Sequence, residues 1–322
     1  MPKLLKISIF LLSIILLAIL AGCDNPAAKK ERSGRLPFAV ITDDAGRTVA
    51  LPKKPQRIVA FTGSHLELLA AVDAPLVGRL KTKNAHIPEQ YQSLPEVGVV
   101  TNINLEQVLA LQPDCVIASK GQHDKFVKLL SSAHIPVVLL HTKTFADVEH
   151  DLDILGQVTG NQDKVAVLLA KLEGQIQAIK EKLPQAKQNI IILHATPKAV
   201  TVELDTTIAG DVAKLLGFTN LALSQQADKP NTDKLPYSME EILRLNPEVL
   251  FLTSMGDEDA IAKRVEADLT SNSAWNSLAA VQNKRYFILP EKYFLVNPGL
   301  RYPEAVKFMA EKVYPEAFAH GQ

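Results

Sequence analysis

The chain has 322 residues, 47% of them hydrophobic and 22% charged, which is enough for one or two globular domains. Its formal charge is zero, and loss of Lys3 and Lys6 with a leader takes 35 basic residues to 33 against 35 acids, a net charge near −2. That balance gives no global electrostatic case for nucleic-acid binding. At the N-terminus, Lys3 and Lys6 precede an apolar run, Ile7 to Leu20, that ends in Leu20-Ala21-Gly22-Cys23. The run is short for a membrane span and has the layout of a secretory signal over residues 1–22. Residues 23–35 are polar and rich in Ala, Lys and Arg, as in a flexible tether. The other cysteine, Cys115, sits in an apolar stretch and reads as a small buried hydrophobe.

Residues 36–160 alternate strand and helix. Phe38–Ile41 and Thr48–Leu51 flank a Gly-containing turn and predict a hairpin. Strands are predicted at Arg57–Phe61, Leu76–Gly78, Asp114–Ala118 and Val137–Leu140. Helices are predicted at Leu66–Val72, Lys125–Ser132 and Phe145–Val158. A long helix follows over residues 161–184. Val165, Leu168, Leu169, Leu172, Ile176, Ile179 and Leu183 fall on one face, Asn161 is the expected N-cap and Pro184 the stop. It is long enough to connect two lobes in one pass, although a surface helix of a single domain has the same pattern. Residues 185–318 repeat the alternation, with strands at Asn189–Leu193, Val200–Glu203, Val249–Leu252 and Tyr286–Leu289. Helices are predicted at Ile208–Leu216 and Pro303–Val313, and Gln225–Pro236 reads as a polar loop.

One unit occurs twice. Asn104–Ile117, NLEQVLALQPDCVI, aligns without a gap on Ser238–Phe251, SMEEILRLNPEVLF, which pairs Glu106 with Glu240. Each copy is a capped helix, a Pro-containing turn and a buried strand. The expected fold is α/β, with two similar lobes of mostly parallel sheets bridged by one helix. Ligands of such sheets bind outside the carboxyl ends of the strands, here in a cleft between the lobes. The strand-end loops hold Ser64, His65, Lys83, Lys120, His123, His194, Met255 and Tyr293 as candidate contacts, with Arg79, Lys81 and Lys292 as further cations. A solvated surface charge is the alternative for each lysine, and a hydrogen-bonding loop residue for each histidine. The histidines are dispersed, against a bare-metal site. Gly-x-Ser-x-Gly and Gly-rich phosphate loops are absent, against an enzyme.

Several ordered motifs resemble the iron-complex and cobalamin group of substrate-binding proteins of ABC importers. They are Asp43-Asp44-Ala45-Gly46-Arg47, Leu94-Pro95-Glu96-Val97-Gly98, the Leu105-Glu106…Pro113-Asp114 strip and Asn297-Pro298-Gly299…Pro303-Glu304-Ala305. The resemblance implies no catalysis and no cofactor. It implies capture of an iron chelate, ferric siderophore or haem, and delivery to a permease dimer with its ATPase subunits; cobalamin is the alternative ligand. A monomer is expected. Leu20-Ala21-Gly22-Cys23 resembles a lipobox, which implies lipidation of Cys23 and anchorage on the outer face of the cytoplasmic membrane. Asp24 resembles an inner-membrane retention signal of Gram-negative cells. Glu106 and Glu240 fall where the family presents one docking carboxylate per lobe; helix-dipole acids are the other reading. The segment Val77 to Gly98 resembles Gram-positive haem and siderophore receptors, whose haem-ligating Met and His would fall at about Thr101 and Met255, neither retained in kind.

Overall fold

The structure, a computed structural model, describes residues 36–82, 85–185, 187–196, 200–225, 232–236, 238–254, 263 and 273–319. In chain order the first half runs β1 (Ala39–Thr42), β2 (Thr48–Leu51), β3 (Ile58–Ala60), α1 (Leu66–Ala71), β4 (Leu76–Arg79), β5 (Gly98–Val99), β6 (Asn102–Ile103), α2 (Leu105–Ala110), β7 (Cys115–Ser119), α3 (Asp124–Ser132), β8 (Val137–Leu140) and α4 (Phe145–Thr159). Then come α5 (Gln162–Lys180), β9 (Asn189–Ala195), β10 (Val200–Glu203), α6 (Ile208–Leu215), β11 (Thr219–Asn220), β12 (Lys234–Pro236), α7 (Met239–Leu245), β13 (Val249–Ser254), α8 (Ser273–Asn276), α9 (Ala279–Gln282), β14 (Tyr286–Leu289), α10 (Glu291–Phe294) and α11 (Tyr302–Val313).

Each lobe is built on one sheet. The first has order β4-β3-β7-β8 and is parallel throughout. The second has order β12-β10-β9-β13-β14, with β11 also on β9. Its β9, β11, β13 and β14 are parallel, and β10 runs against them, pairing antiparallel with both β9 and β12. The β12 strand lies inside the stretch read as a polar loop. Lys234-Leu235-Pro236 is too short and too polar to show a strand period, and it forms by pairing with β10.

Both sheets are covered on both faces, which explains their continuous apolar runs. Ile58, Ile117 and Val138 face one way, while Val59, Val116 and Leu139 face the other. In the second sheet Ile190, Ile192 and Phe251 face one way, and Ile191, Leu193 and Leu250 the other. The first face of each sheet belongs to a single core that continues through α4, α5 and α11. Pro37–Gln322 accordingly forms one compact unit.

The bridging helix α5 buries Val165, Leu172, Ile176 and Ile179. Its start differs from expectation. Asn161 makes no side-chain cap; its Nδ2 donates to the Val72 carbonyl at 2.7 Å and ties the helix to the end of α1. The helix ends at Lys180, ahead of the predicted stop. Gly160, left-handed at φ 66°, turns α4 into α5, and a Cβ there would meet Phe38 at 3.0 Å. Among the described residues no helix is long and apolar enough to cross a membrane.

Candidate functional site

The loops after β3, β7 and β8 converge with the end of β10, the start of β12 and the segment Phe294–Asn297 around a cleft of about 580 Å³. This is the carboxyl-end position expected for parallel sheets, with the antiparallel β10–β12 edge closing the second side. From the first lobe the walls are Thr62–His65, Thr82, Ala85, Val100, Ser119, Lys120, Gln122 and Leu140–Lys143. The second lobe adds Glu203, Thr207, Ile208, Asp233, Lys234 and Phe294–Asn297.

Ser64, His65 and Lys120 are the predicted contacts that line the cleft. The Oγ of Ser64 is 2.8 Å from the Oγ1 of Thr62. His65 is buried and its Nε2 is 2.5 Å from Thr142 Oγ1, which donates in turn to the fully buried Asp151. Lys120 Nζ donates to the Asp44 carbonyl at 2.8 Å, a neutral acceptor, and among the described residues no acid pairs with it.

Two predicted histidines stand behind the wall. His123 is completely buried and packs edge-on to Phe61 at 5.7 Å. Burial pushes its imidazole down, and the neutral ring accepts the Ser119 amide on Nδ1 at 3.0 Å, which fixes the strand end that carries Lys120. His194 Nδ1 meets Thr253 Oγ1 at 2.9 Å and Glu203 Oε1 at 3.2 Å. Burial alone would raise Glu203. Hydrogen bonds from His194 and Thr253, with Lys234 Nζ at 3.4 Å, hold its carboxyl below the ordinary range instead. His194 therefore holds a cleft carboxylate in place.

Tyr293 does not line the cleft. Its hydroxyl donates to Glu304 Oε2 at 2.8 Å, with the Lys292 ammonium over its ring at 4.8 Å. The adjacent Phe294 supplies the wall in its place. Arg79 is buried, donates to the carbonyls of Tyr91, Leu80 and Gln92, and pairs with Glu96, so it braces the loop after β4. Lys81 lines a separate depression beside Glu96 and Asn104. Lys83, Met255 and Cys23 lie outside the described residues.

The cleft also uses residues absent from the predicted set. His141 and Lys143 follow the carboxyl end of β8, where the strand-end rule would have found them. Asp233 precedes β12 and Lys234 starts it, at the amino end of a strand, whereas that rule names carboxyl ends. Among the described residues no group of three or more His, Cys, Asp or Glu is placed to hold a metal ion. Among the described residues the cleft offers hydroxyls, three lysines and two carboxylates set in a partly apolar wall, a surface for recognising an organic molecule that carries polar groups.

The two copies of the repeated unit match in detail. Asn104 and Ser238 cap their helices by accepting from Gln107 N and Glu241 N at 3.1 and 3.3 Å. Gln112 and Asn246 are left-handed, at φ 47° and 43°, directly before Pro113 and Pro247. The carboxylates of Asp114 and Glu248 accept backbone amides at the entry to β3 and β9, from Arg57 at 2.9 Å and Asn189 at 2.7 Å. Glu106 and Glu240 occupy the same position of each copy, away from the cleft.

A family model described as periplasmic binding protein matches residues 58–293. The chain is similar to an uncharacterized ABC transporter substrate-binding lipoprotein of Bacillus subtilis, 28% identical over 323 residues, 95% of this chain and 96% of the relative. It is also similar to a Fe(3+)-citrate-binding protein of Bacillus subtilis, 23% identical over 95% of this chain and 97% of the relative. The crystal structure of an ABC transporter substrate-binding protein from Listeria monocytogenes superposes with a TM-score of 0.71 at 25% identity, over 82% of this chain and 100% of that one.

Proposed function

The chain belongs to the periplasmic binding protein family, and we propose that its cleft captures a carboxylate-bearing iron chelate for an ABC import permease. It is an extracytoplasmic substrate receptor and not an enzyme. The observation that carries the ligand class is the cleft itself: Lys120, Lys143 and Lys234 line a space of about 580 Å³ that draws on both lobes. Cationic side chains suit an anionic chelate, and the relative that binds ferric citrate supports an organic iron complex as the cargo. Ser64 and His65 stand as direct contacts, with His123 and His194 as supports. Lys120 is the most available of these lysines to an anion, because its ammonium is met by a carbonyl and, among the described residues, by no acid.

Lys120→Gln is therefore expected to weaken ferric citrate roughly tenfold and a neutral ferric trihydroxamate by less than about twofold, read by titration calorimetry. An equal effect on both chelates would remove the charge argument. Haem is the second reading, favoured by the His141 side chain on the cleft wall. A Soret shift on adding haem that His141→Ala abolishes would favour it over the carboxylate chelate.

Anchorage through a lipidated Cys23, on the outer face of the cytoplasmic membrane, belongs to the same reading; the leader and the Leu-Ala-Gly-Cys ending support it. Cells fed labelled palmitate are expected to label the wild type and not Cys23→Ala. Label in neither protein would contradict it. Glu106 and Glu240 are the proposed docking acids for a permease of two equivalent subunits.

A further inference from the structure

We propose that Asp233 is a built-in competitor for the ligand, a carboxylate that occupies Lys143 across the cleft and sets how anionic a chelate must be to bind. The inference rests on the reading of the cleft as an anionic-chelate site and names the residue that tunes it. Lys143 follows β8 in the first lobe and Asp233 precedes β12 in the second, and both line the cleft. Their side chains form an ion pair between the lobes. Each is more than one-third exposed, at 37% and 39%, so water screens the pair and a better-placed anion can exchange for either partner.

The three cleft lysines are not equivalent. Lys234 lies 3.4 Å from Glu203, which is 2% exposed, anchored by Thr253 and His194, and belongs to its own lobe. A ligand cannot pull that carboxylate away without leaving a buried charge unpaired. Among the described residues Lys120 meets the Asp44 carbonyl and no acid. Among the described residues, Lys143 is the cleft lysine compensated by a partly exposed acid from the opposite lobe. The described part of the cleft thus presents one lysine with no acidic partner, and a ligand carboxylate gains a second by displacing Asp233.

The displaced carboxylate does not leave the site. Asp233 Oδ1 accepts Thr206 Oγ1 at 2.9 Å within its own lobe, and the Asp233 carbonyl accepts the Leu204 amide at 2.9 Å. Its negative charge therefore stays beside the bound chelate and repels it in proportion to the charge the chelate carries. The lysine is equally fixed: the Lys143 amide donates to Asp147 Oδ2 at 2.9 Å, beside the capping box that starts α4. Two anchored groups facing each other from separate lobes make an exchangeable contact that an anionic ligand replaces and a neutral one leaves intact.

Asp233→Asn keeps the acceptor for Thr206 and removes the charge. With the full chain, calorimetric titration of ferric citrate is expected to show roughly threefold to tenfold tighter binding to Asp233→Asn than to wild type. A neutral ferric trihydroxamate is expected to change by less than about twofold. In a Lys143→Gln background the gain for ferric citrate should disappear, because there is no cation left to release. Tightening of both chelates alike, or no tightening of ferric citrate when the wild type binds it, would overturn the role of Asp233. Binding of neither chelate by the wild type would overturn the ligand reading itself, and this inference with it.

Discussion

Glu106→Lys combined with Glu240→Lys is expected to reduce ATP-dependent uptake of ferric citrate in reconstituted vesicles by about tenfold or more, with the solution affinity unchanged within about twofold. The two acids occupy the same place in two copies of one structural unit. The copies share a capping side chain, the left-handed position before proline and the carboxylate that closes the next strand. A receptor with one such acid per lobe suits a permease with two equivalent basic patches, each making one charge contact. Exposed pairs of this kind act mainly on association rate and on salt dependence, so alanine at both positions should cost less than lysine. Each single alanine should cost less again. Neither residue lines the cleft, so ligand affinity is the internal control. Wild-type transport by the double lysine protein would make these acids ordinary helix-start residues.

Gly210→Ala is expected to destabilise the protein by about 3 kcal/mol, since overpacking against rigid neighbours sits at the upper end of such effects. A Cβ at this position would lie 2.0 Å from the Leu204 carbonyl oxygen and 2.7 Å from Asp205 Cα, both backbone atoms that cannot swing aside. The tight approach has a structural cause. Leu204 accepts both the amide and the hydroxyl of Thr207, and Thr207 Oγ1 accepts the Gly210 amide, which winds the end of β10 directly into α6. Glu203, Thr207 and Ile208 on that turn line the cleft, so the same substitution should weaken chelate binding. Gly174, in mid-α5, supplies the contrast, because a Cβ added there would meet nothing within 4 Å. Gly174→Ala should stabilise by about 0.5–1 kcal/mol through helix propensity. Calorimetric melting is expected to show Tm lowered by roughly 6 °C or more for Gly210→Ala and slightly raised for Gly174→Ala. Equal melting of the two variants would contradict the packing argument.

The sheets were legible in the sequence because their central strands are buried on both faces. Val137–Leu140 and Tyr286–Leu289 stand at their predicted limits. The repeat was legible because both copies keep the residues that local geometry demands: a cap, a left-handed turn before proline and a strand-closing acid. Side-chain direction was not legible. Tyr293 and Phe294 are neighbours, and only the Glu304 carboxylate on α11 draws the Tyr293 hydroxyl to itself while Phe294 lines the cleft. Asn161 has the local pattern of a cap, but its amide serves a carbonyl 89 residues earlier in the chain. Asp233 carries no local signal, because its significance lies in a lysine 90 residues away on the other lobe. Pairings at that separation follow from the assembled fold and leave no local pattern.

The cleft is expected to take the iron and its organic chelator together. Equilibrium dialysis of the purified protein against ferric citrate, with the iron and the citrate carrying separate radioactive labels, tests it most directly. Both labels should be retained in a constant ratio, saturate together and be lost together in the combined Lys120→Gln and Lys143→Gln variant. Retention of iron without citrate, or of neither label, would contradict it.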